Sequence, residues 1–114
     1  MTKTIEELKS RFGINPENMI AYIGPGISQD KYEVGPEVGL LFEEKLRYEK
    51  NGKFYPDLKK CNLYQLLDAG LKENNIEVSA LCTYTEKDLL HSYRRDGERS
   101  GRMFGVIGLR EVKE

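Results

Sequence analysis

Apolar positions along the chain alternate between helical and strand-like spacing, and the changes of period divide it into elements. Ile5, Leu8 and Phe12 fall on one face of a helix predicted over Thr4 to Phe12. Thr4 and Glu7 have capping-box spacing there, and Gly13 is placed to end the helix in a left-handed conformation. Met19 to Ile23 is a short apolar run without clean alternation, the pattern of a strand covered on both faces. It leads into Gly24-Pro25-Gly26, a loop. Pro36 suits the first turn of a second helix whose apolar face is Val38, Leu41, Phe42 and Leu46. Asn51-Gly52 is a turn signal, and Lys53-Phe54-Tyr55 reads as briefly extended before Pro56. Asp57 is placed to cap a third helix running to about Asn74, lined by Leu63, Leu66, Leu67 and Leu71, with Gly70 marking close packing. Val78 to Tyr84 and Met103 to Leu109 are the remaining strands, the last weakened by two glycines. The predicted order is α-β-α-α-β-β.

This order implies an α+β class: a layered α/β sandwich with a small mixed sheet, in a single domain over residues 1–114. The strands are apolar on both faces while few helices are available to cover them, which points to a partner layer.

Composition narrows the function classes. Eighteen basic against nineteen acidic residues give a net charge of −1, unlike the basic surplus of a dedicated nucleic-acid binder. No apolar run approaches the ~20 residues needed to span a bilayer, and the N-terminus has no apolar signal core, so the chain reads as cytoplasmic. Cys61 and Cys82 make no disulfide framework and read as small buried hydrophobes.

The charged residues are unevenly placed. Arg94, Arg95, Arg99 and Arg102 lie beside the only histidine, His91, between the last two predicted strands. Such a loop presents forked donors suited to a phosphate or carboxylate. The same Arg-Asp-Gly run also suits a turn, in which Arg95 and Arg102 pair with Asp96 and Glu98 in solvent. Ser92 is either a hydroxyl donor to an anion or a turn cap, and Tyr84 and Tyr93 are either base-stacking or core residues. Cys82, Asp88 and His91 match no usual zinc spacing, and a Cys82–His91 nucleophile pair requires contact across the loop. The glycine-rich loop after the first strand lacks the Lys-Ser/Thr of a P-loop.

Cys82-Thr83-Tyr84, then Ser92-Tyr93-Arg94-Arg95-Asp96, then Gly101-Arg102-Met103 resembles the C-terminal signature of the YfiH/laccase-domain family. Its members are also called polyphenol oxidases, purine nucleoside phosphorylases and peptidoglycan-editing factors. Ile23-Gly24-Pro25-Gly26-Ile27 with Tyr32-Glu33-Val34-Gly35 resembles an earlier family segment, and Asp57-Leu58 with Gln65-Leu66-Leu67-Asp68-Ala69-Gly70 resembles a family helix. The resemblance covers nearly the whole chain but only the latter half of the family domain. It implies the C-terminal part of an α/β/β/α fold, with zinc- or copper-dependent phosphorolysis of adenosine and inosine, or deamination of adenosine. The family's metal ligands sit in Val-His-Gly, Thr-Ala-Asp-Cys and His-Ala-Gly-Trp-Arg-Gly motifs that have no counterpart here, so no catalytic or metal residue is carried over. Arg94, Arg95, Arg102, Ser92 and Tyr93 are then the candidate substrate-binding residues, for a purine nucleoside and phosphate. The implied macromolecular partner is the N-terminal half of the domain or a second copy of the chain, with no nucleic acid and no membrane. The alternative is a non-catalytic dimerisation or phosphate-binding half-domain. His91 stands where the family usually has an aromatic residue and reads as a packing substitution; Ser100 replaces a frequent Thr.

Overall fold

Two small sheets and two eleven-residue helices organise the chain, which a computed structural model describes over residues 1–111. Helix α1 spans Thr2–Phe12. It starts two residues before the predicted cap: Met1 is the capping position, no side chain caps it, and Thr4 lies inside the first turn. Its end follows the sequence. Gly13 adopts φ 64° and its N–H donates to the Lys9 carbonyl at 3.0 Å, closing the helix where only glycine is unstrained.

Strand β1, Ala21–Ile23, pairs in parallel with β4, Ile76–Val78, in the register Ala21 to Ile76. Parallel pairing requires a crossover. The chain between them supplies it, with helix α3, Leu58–Asp68, returning across the pair. Asp57 caps α3 as the sequence predicted, accepting the Lys60 N–H at 3.0 Å. The helix stops at Asp68 rather than near Asn74, because Gly70 takes φ 107° and turns the chain under Pro16. Ile5 of α1, Leu66 of α3 and Leu71 form the buried centre between these elements, flanked by Met19, Ala21, Ile23 and Ile76.

The predicted second helix is mostly absent. Helix α2 covers only Pro36–Gly39. Leu41 is exposed, Leu46 is buried at the end of a 3₁₀ turn, and Arg47–Lys50 forms strand β2. β2 pairs antiparallel with β3, Lys53–Pro56. The turn chemistry explains this. Asn51 and Gly52 both have positive φ, 52° and 76°, the primed turn whose twist matches a tight hairpin. Tyr48 then falls opposite Tyr55, and the rings stack at 4.8 Å. Val34 bridges to Phe54 by two backbone hydrogen bonds of 2.9 Å, adding a third segment to the hairpin. Val34, Leu46, Phe54 and Pro56 are buried around it.

The last two predicted strands also differ from expectation. The ladder ends at Val78, and Cys82 makes only an isolated parallel bridge to Gly26. Met103 to Leu109 forms no strand and lies exposed. The expected mixed sheet is therefore two separate two-stranded ladders, one parallel and one antiparallel. The radius of gyration is 16.8 Å, against about 13 Å for a compact chain of this length.

Gly39 closes α2 directly on Phe54: a Cβ there would sit 2.3 Å from the Phe54 Cβ. Gly39→Ala is expected to lower stability by about 1–3 kcal/mol, the usual cost of forcing a side chain into a packed site. Gly105 meets nothing within 4 Å, so Gly105→Ala is expected to stay within about 0.5 kcal/mol of the parent. Urea midpoints of the two variants check this.

Candidate functional site

The arginine-rich loop is held as a rigid turn rather than an open rim. Tyr93–Asp96 forms a single helical turn, α4, and the buried Ser92 caps it by accepting the Arg95 N–H at 3.2 Å. Ser92 is thus occupied as a cap, one of its two predicted roles.

Arg95 points inward. Its Nη1 donates to the Thr83 carbonyl at 2.9 Å and the Tyr84 carbonyl at 3.1 Å. Its Nη2 donates to the Leu90 carbonyl at 3.0 Å and to Asp96 Oδ2 at 2.8 Å, and its Nε donates to Asp96 Oδ1 at 3.0 Å. A guanidinium has five N–H donors, and all five are claimed. The Asp96 hydrogen bonds hold the Arg95 pKa above its ordinary value, and the same bonds hold the Asp96 carboxyl below its own. An anion arriving at Arg95 would find no free donor, so a direct grip by this residue does not fit the geometry.

Arg94, one residue earlier, points the other way. Its Nη1 donates to the Glu33 carbonyl at 2.8 Å, and its guanidinium carbon lies 5.0 Å from the Tyr32 ring centroid. That is its single hydrogen bond among the described residues. Arg94 lines a cleft of about 340 Å³ with Lys31, Glu33, Val34, Gly35, Lys53 and Tyr84. Three cations against one carboxylate leave the lining net positive. The Lys31 ammonium lies 6.0 Å from the Tyr84 ring centroid, at the edge of cation–π range. The Val34–Phe54 bridge is what brings these parts together, since it sets Lys53 beside the Glu33-Val34-Gly35 segment.

The other candidates fall elsewhere. Tyr93 is exposed on α4 and lies outside the cleft. Arg102 sits in the exposed stretch after Gly101 and makes no ion pair or hydrogen bond among the described residues. The expected pairing of Arg95 with Asp96 forms, while the pairing of Arg102 with Glu98 does not. His91 is exposed, with its ring over Gly101, where a Cβ would lie 2.5 Å from Cε1. No hydrogen bond joins His91 to Cys82, so the nucleophile pair is not assembled.

Cys82 nevertheless has a feature the sequence did not signal. Its thiol is buried and accepts the Ser28 N–H at 3.2 Å. Burial pushes the thiol pKa up, but hydrogen bonds from Ser28 and Thr85 outweigh it and lower the value to about 6. Ser28 follows the Gly-Pro-Gly loop, so the loop's contribution here is a donor to sulfur. Lys31 and Lys53 were also missed, because nothing in linear order places them beside Arg94.

A larger groove of about 620 Å³ runs beside α3, lined by Tyr48, Asp57, Lys59, Leu63 and Val78 among others. It holds none of the loop arginines, and Lys59 there is engaged with the Ser79 and Leu81 carbonyls at 2.9 and 2.7 Å. The cationic cleft is the better candidate. Among the described residues, no group of three or more His, Cys, Asp or Glu side chains is arranged to hold a metal ion. The zinc or copper that the resemblance implies does not fit this residue set. Among the same residues, no helix is long and apolar enough to cross a membrane.

A mixed α/β chain with small sheets and an internally tied arginine loop is the class that fold and site define. The family model described as multi-copper polyphenol oxidoreductase laccase matches residues 1–110, and the chain belongs to that family. A purine nucleoside phosphorylase from Bacteroides thetaiotaomicron is 35% identical over 112 residues, covering 91% of this chain and 42% of the relative. The purine nucleoside phosphorylase YlmD from Bacillus subtilis is 36% identical over 115 residues, covering 95% of this chain and 41% of the relative. The crystal structure of the hypothetical protein YfiH from Bacillus licheniformis superposes with a TM-score of 0.75 at 34% identity, covering 83% of this chain and 39% of that one. The chain spans about two-fifths of the length of the relatives it matches.

The acidic thiol has a consequence for stability. A folded pKa of about 6 against an ordinary 9.0 means that ionised Cys82 adds stability as pH rises from 6 towards 9, and loses it as pH falls through 6. The difference in urea midpoint between the parent and Cys82→Ala is expected to widen over that interval. A difference that stays constant would show that the thiol does not ionise early.

Proposed function

We propose that this chain is the C-terminal portion of a purine nucleoside phosphorylase-like domain, contributing its phosphate-facing surface and scaffold. The observation that carries the reading is the convergence of Lys31, Lys53 and Arg94 on one cleft beside Tyr84. Phosphorolysis joins a phosphate oxygen to the ribose anomeric carbon while the bond to the purine nitrogen breaks. Cations at the nucleophile's site concentrate the dianion and orient it before attack. Arg94 has donors left for such a ligand, and Arg95 holds the loop that positions it. The Tyr84 ring offers an apolar wall for a sugar or base.

The substrates that fit this reading are adenosine and inosine. The metal chemistry implied by the family resemblance would come from residues other than those described. The chain by itself is therefore proposed to bind phosphate without turning over nucleoside. A phosphate-binding module with no catalytic role shares the first half of this behaviour, and the two are separated by assay of the complete domain.

Titration with inorganic phosphate, followed by amide chemical shifts, tests the cleft directly. Arg94→Gln is expected to weaken the response at least about tenfold, the loss of a charge-assisted contact. Equal responses from parent and variant would discard the site. Rapid adenosine or inosine phosphorolysis by the chain alone, with zinc added, would contradict the division of labour.

A further inference from the structure

We infer that Glu33 is a specificity-determining residue of the cationic cleft, accepting the proton of hydrogen phosphate and so excluding anions, such as sulfate, that carry none. This inference rests on the phosphate reading of that cleft and gives its one carboxylate a task.

Glu33 lines the cleft with Lys31, Lys53 and Arg94. A lining that only concentrated anions would gain nothing from a carboxylate, which repels every one of them. The side chain is not engaged elsewhere. Among the described residues the ion pairs are Arg11 with Glu7, Lys45 with Glu43 and Arg95 with Asp96, and no hydrogen bond reaches the Glu33 carboxylate. The Tyr55 phenol feels its charge: burial raises the phenol pKa, and Glu33 raises it further. A phenol kept protonated has no charge to compensate the carboxylate.

The backbone that carries Glu33 is fixed on both sides. Its carbonyl accepts from Arg94 Nη1 at 2.8 Å, and the next residue, Val34, exchanges two hydrogen bonds of 2.9 Å with Phe54. The arginine that would hold a phosphate oxygen is thus tied to the residue that would hold the phosphate proton.

This arrangement separates anions that shape and charge do not. Hydrogen phosphate and sulfate are both tetrahedral dianions of similar size. Hydrogen phosphate has one P–OH donor beside three oxygens that only accept. Lysine and arginine only donate, and an ionised carboxylate only accepts. Lys31, Lys53 and Arg94 with Glu33 therefore match hydrogen phosphate group for group. Sulfate would leave the Glu33 carboxylate facing an oxygen with no proton between them, a like-charge contact that selects against it. A site built to hydrogen-bond a ligand's OH rejects the analogue lacking it by up to about 10⁴ or more where its polar groups are buried. Glu33 is exposed, so solvent screens the contact and discrimination of about tenfold is expected.

The test titrates the chain with sodium phosphate and with sodium sulfate at neutral pH and matched ionic strength, read by the amide chemical shifts of Glu33, Val34, Gly35 and Arg94. The parent is expected to bind phosphate about tenfold more tightly than sulfate. Glu33→Gln is expected to cut that preference to within about threefold, chiefly by tighter sulfate binding, because an amide can donate to an anion. Unmoved amides at Leu66 and Leu71 in the buried centre show that the variant is folded. Arg94→Gln is expected to weaken both anions together. Phosphate bound through Arg94, with sulfate bound equally well, would overturn the role of Glu33 and leave the phosphate cleft standing. A preference for phosphate that survives Glu33→Gln would do the same. A chain that gives no phosphate response, or one that Arg94→Gln does not alter, would overturn both readings.

Discussion

All five N–H groups of the Arg95 guanidinium are bound to the loop that carries it. The carbonyls of Thr83, Tyr84 and Leu90 have that one side chain in common, and Asp96 fixes its plane by accepting from both Nε and Nη2. Residues 83 to 96 contain little regular structure, so the guanidinium does the work that a ladder or helix would do elsewhere. The orientation of Arg94 follows from this. With its neighbour anchored inward on a single helical turn, Arg94 projects towards Tyr32 and the Glu33 carbonyl, at the mouth of the cationic cleft. An arginine cluster that looks uniform in sequence is thus divided between a structural tie and an available donor.

Local signals in the sequence were reliable where the physics is local. Gly13 ended its helix, Asn51-Gly52 made its hairpin turn, and Asp57 capped α3, each through contacts within a few residues. Expectations failed where long-range contacts decide. Leu41, Phe42 and Leu46 have helical spacing, yet Gly39 closes against Phe54 and the chain leaves the helix to pair with its hairpin partner. The Thr4–Glu7 box was pre-empted by a start at Thr2. At the candidate site, the sequence singled out the arginine-rich loop but could not divide its arginines, because a guanidinium bound to main-chain carbonyls leaves no signature in residue type. Lys31 and Lys53 became visible only through the Val34–Phe54 bridge.

The quality of the packing is uneven among the described residues. The centre around Ile5, Leu66 and Leu71 is closed, as is the cluster around Phe54. Ile20, Leu41, Leu89 and the run after Met103 lie open.

Arg95 holds the loop, and through it the placement of Arg94 at the cleft. The most direct test is Arg95→Lys, read by tryptic cleavage after Lys87 and by the phosphate response in the same sample. A lysine keeps the charge but cannot span three carbonyls and a carboxylate. The account predicts faster cleavage after Lys87 and a weakened phosphate response with Arg94 intact. A loop that stays protected, with phosphate bound as in the parent, would contradict it.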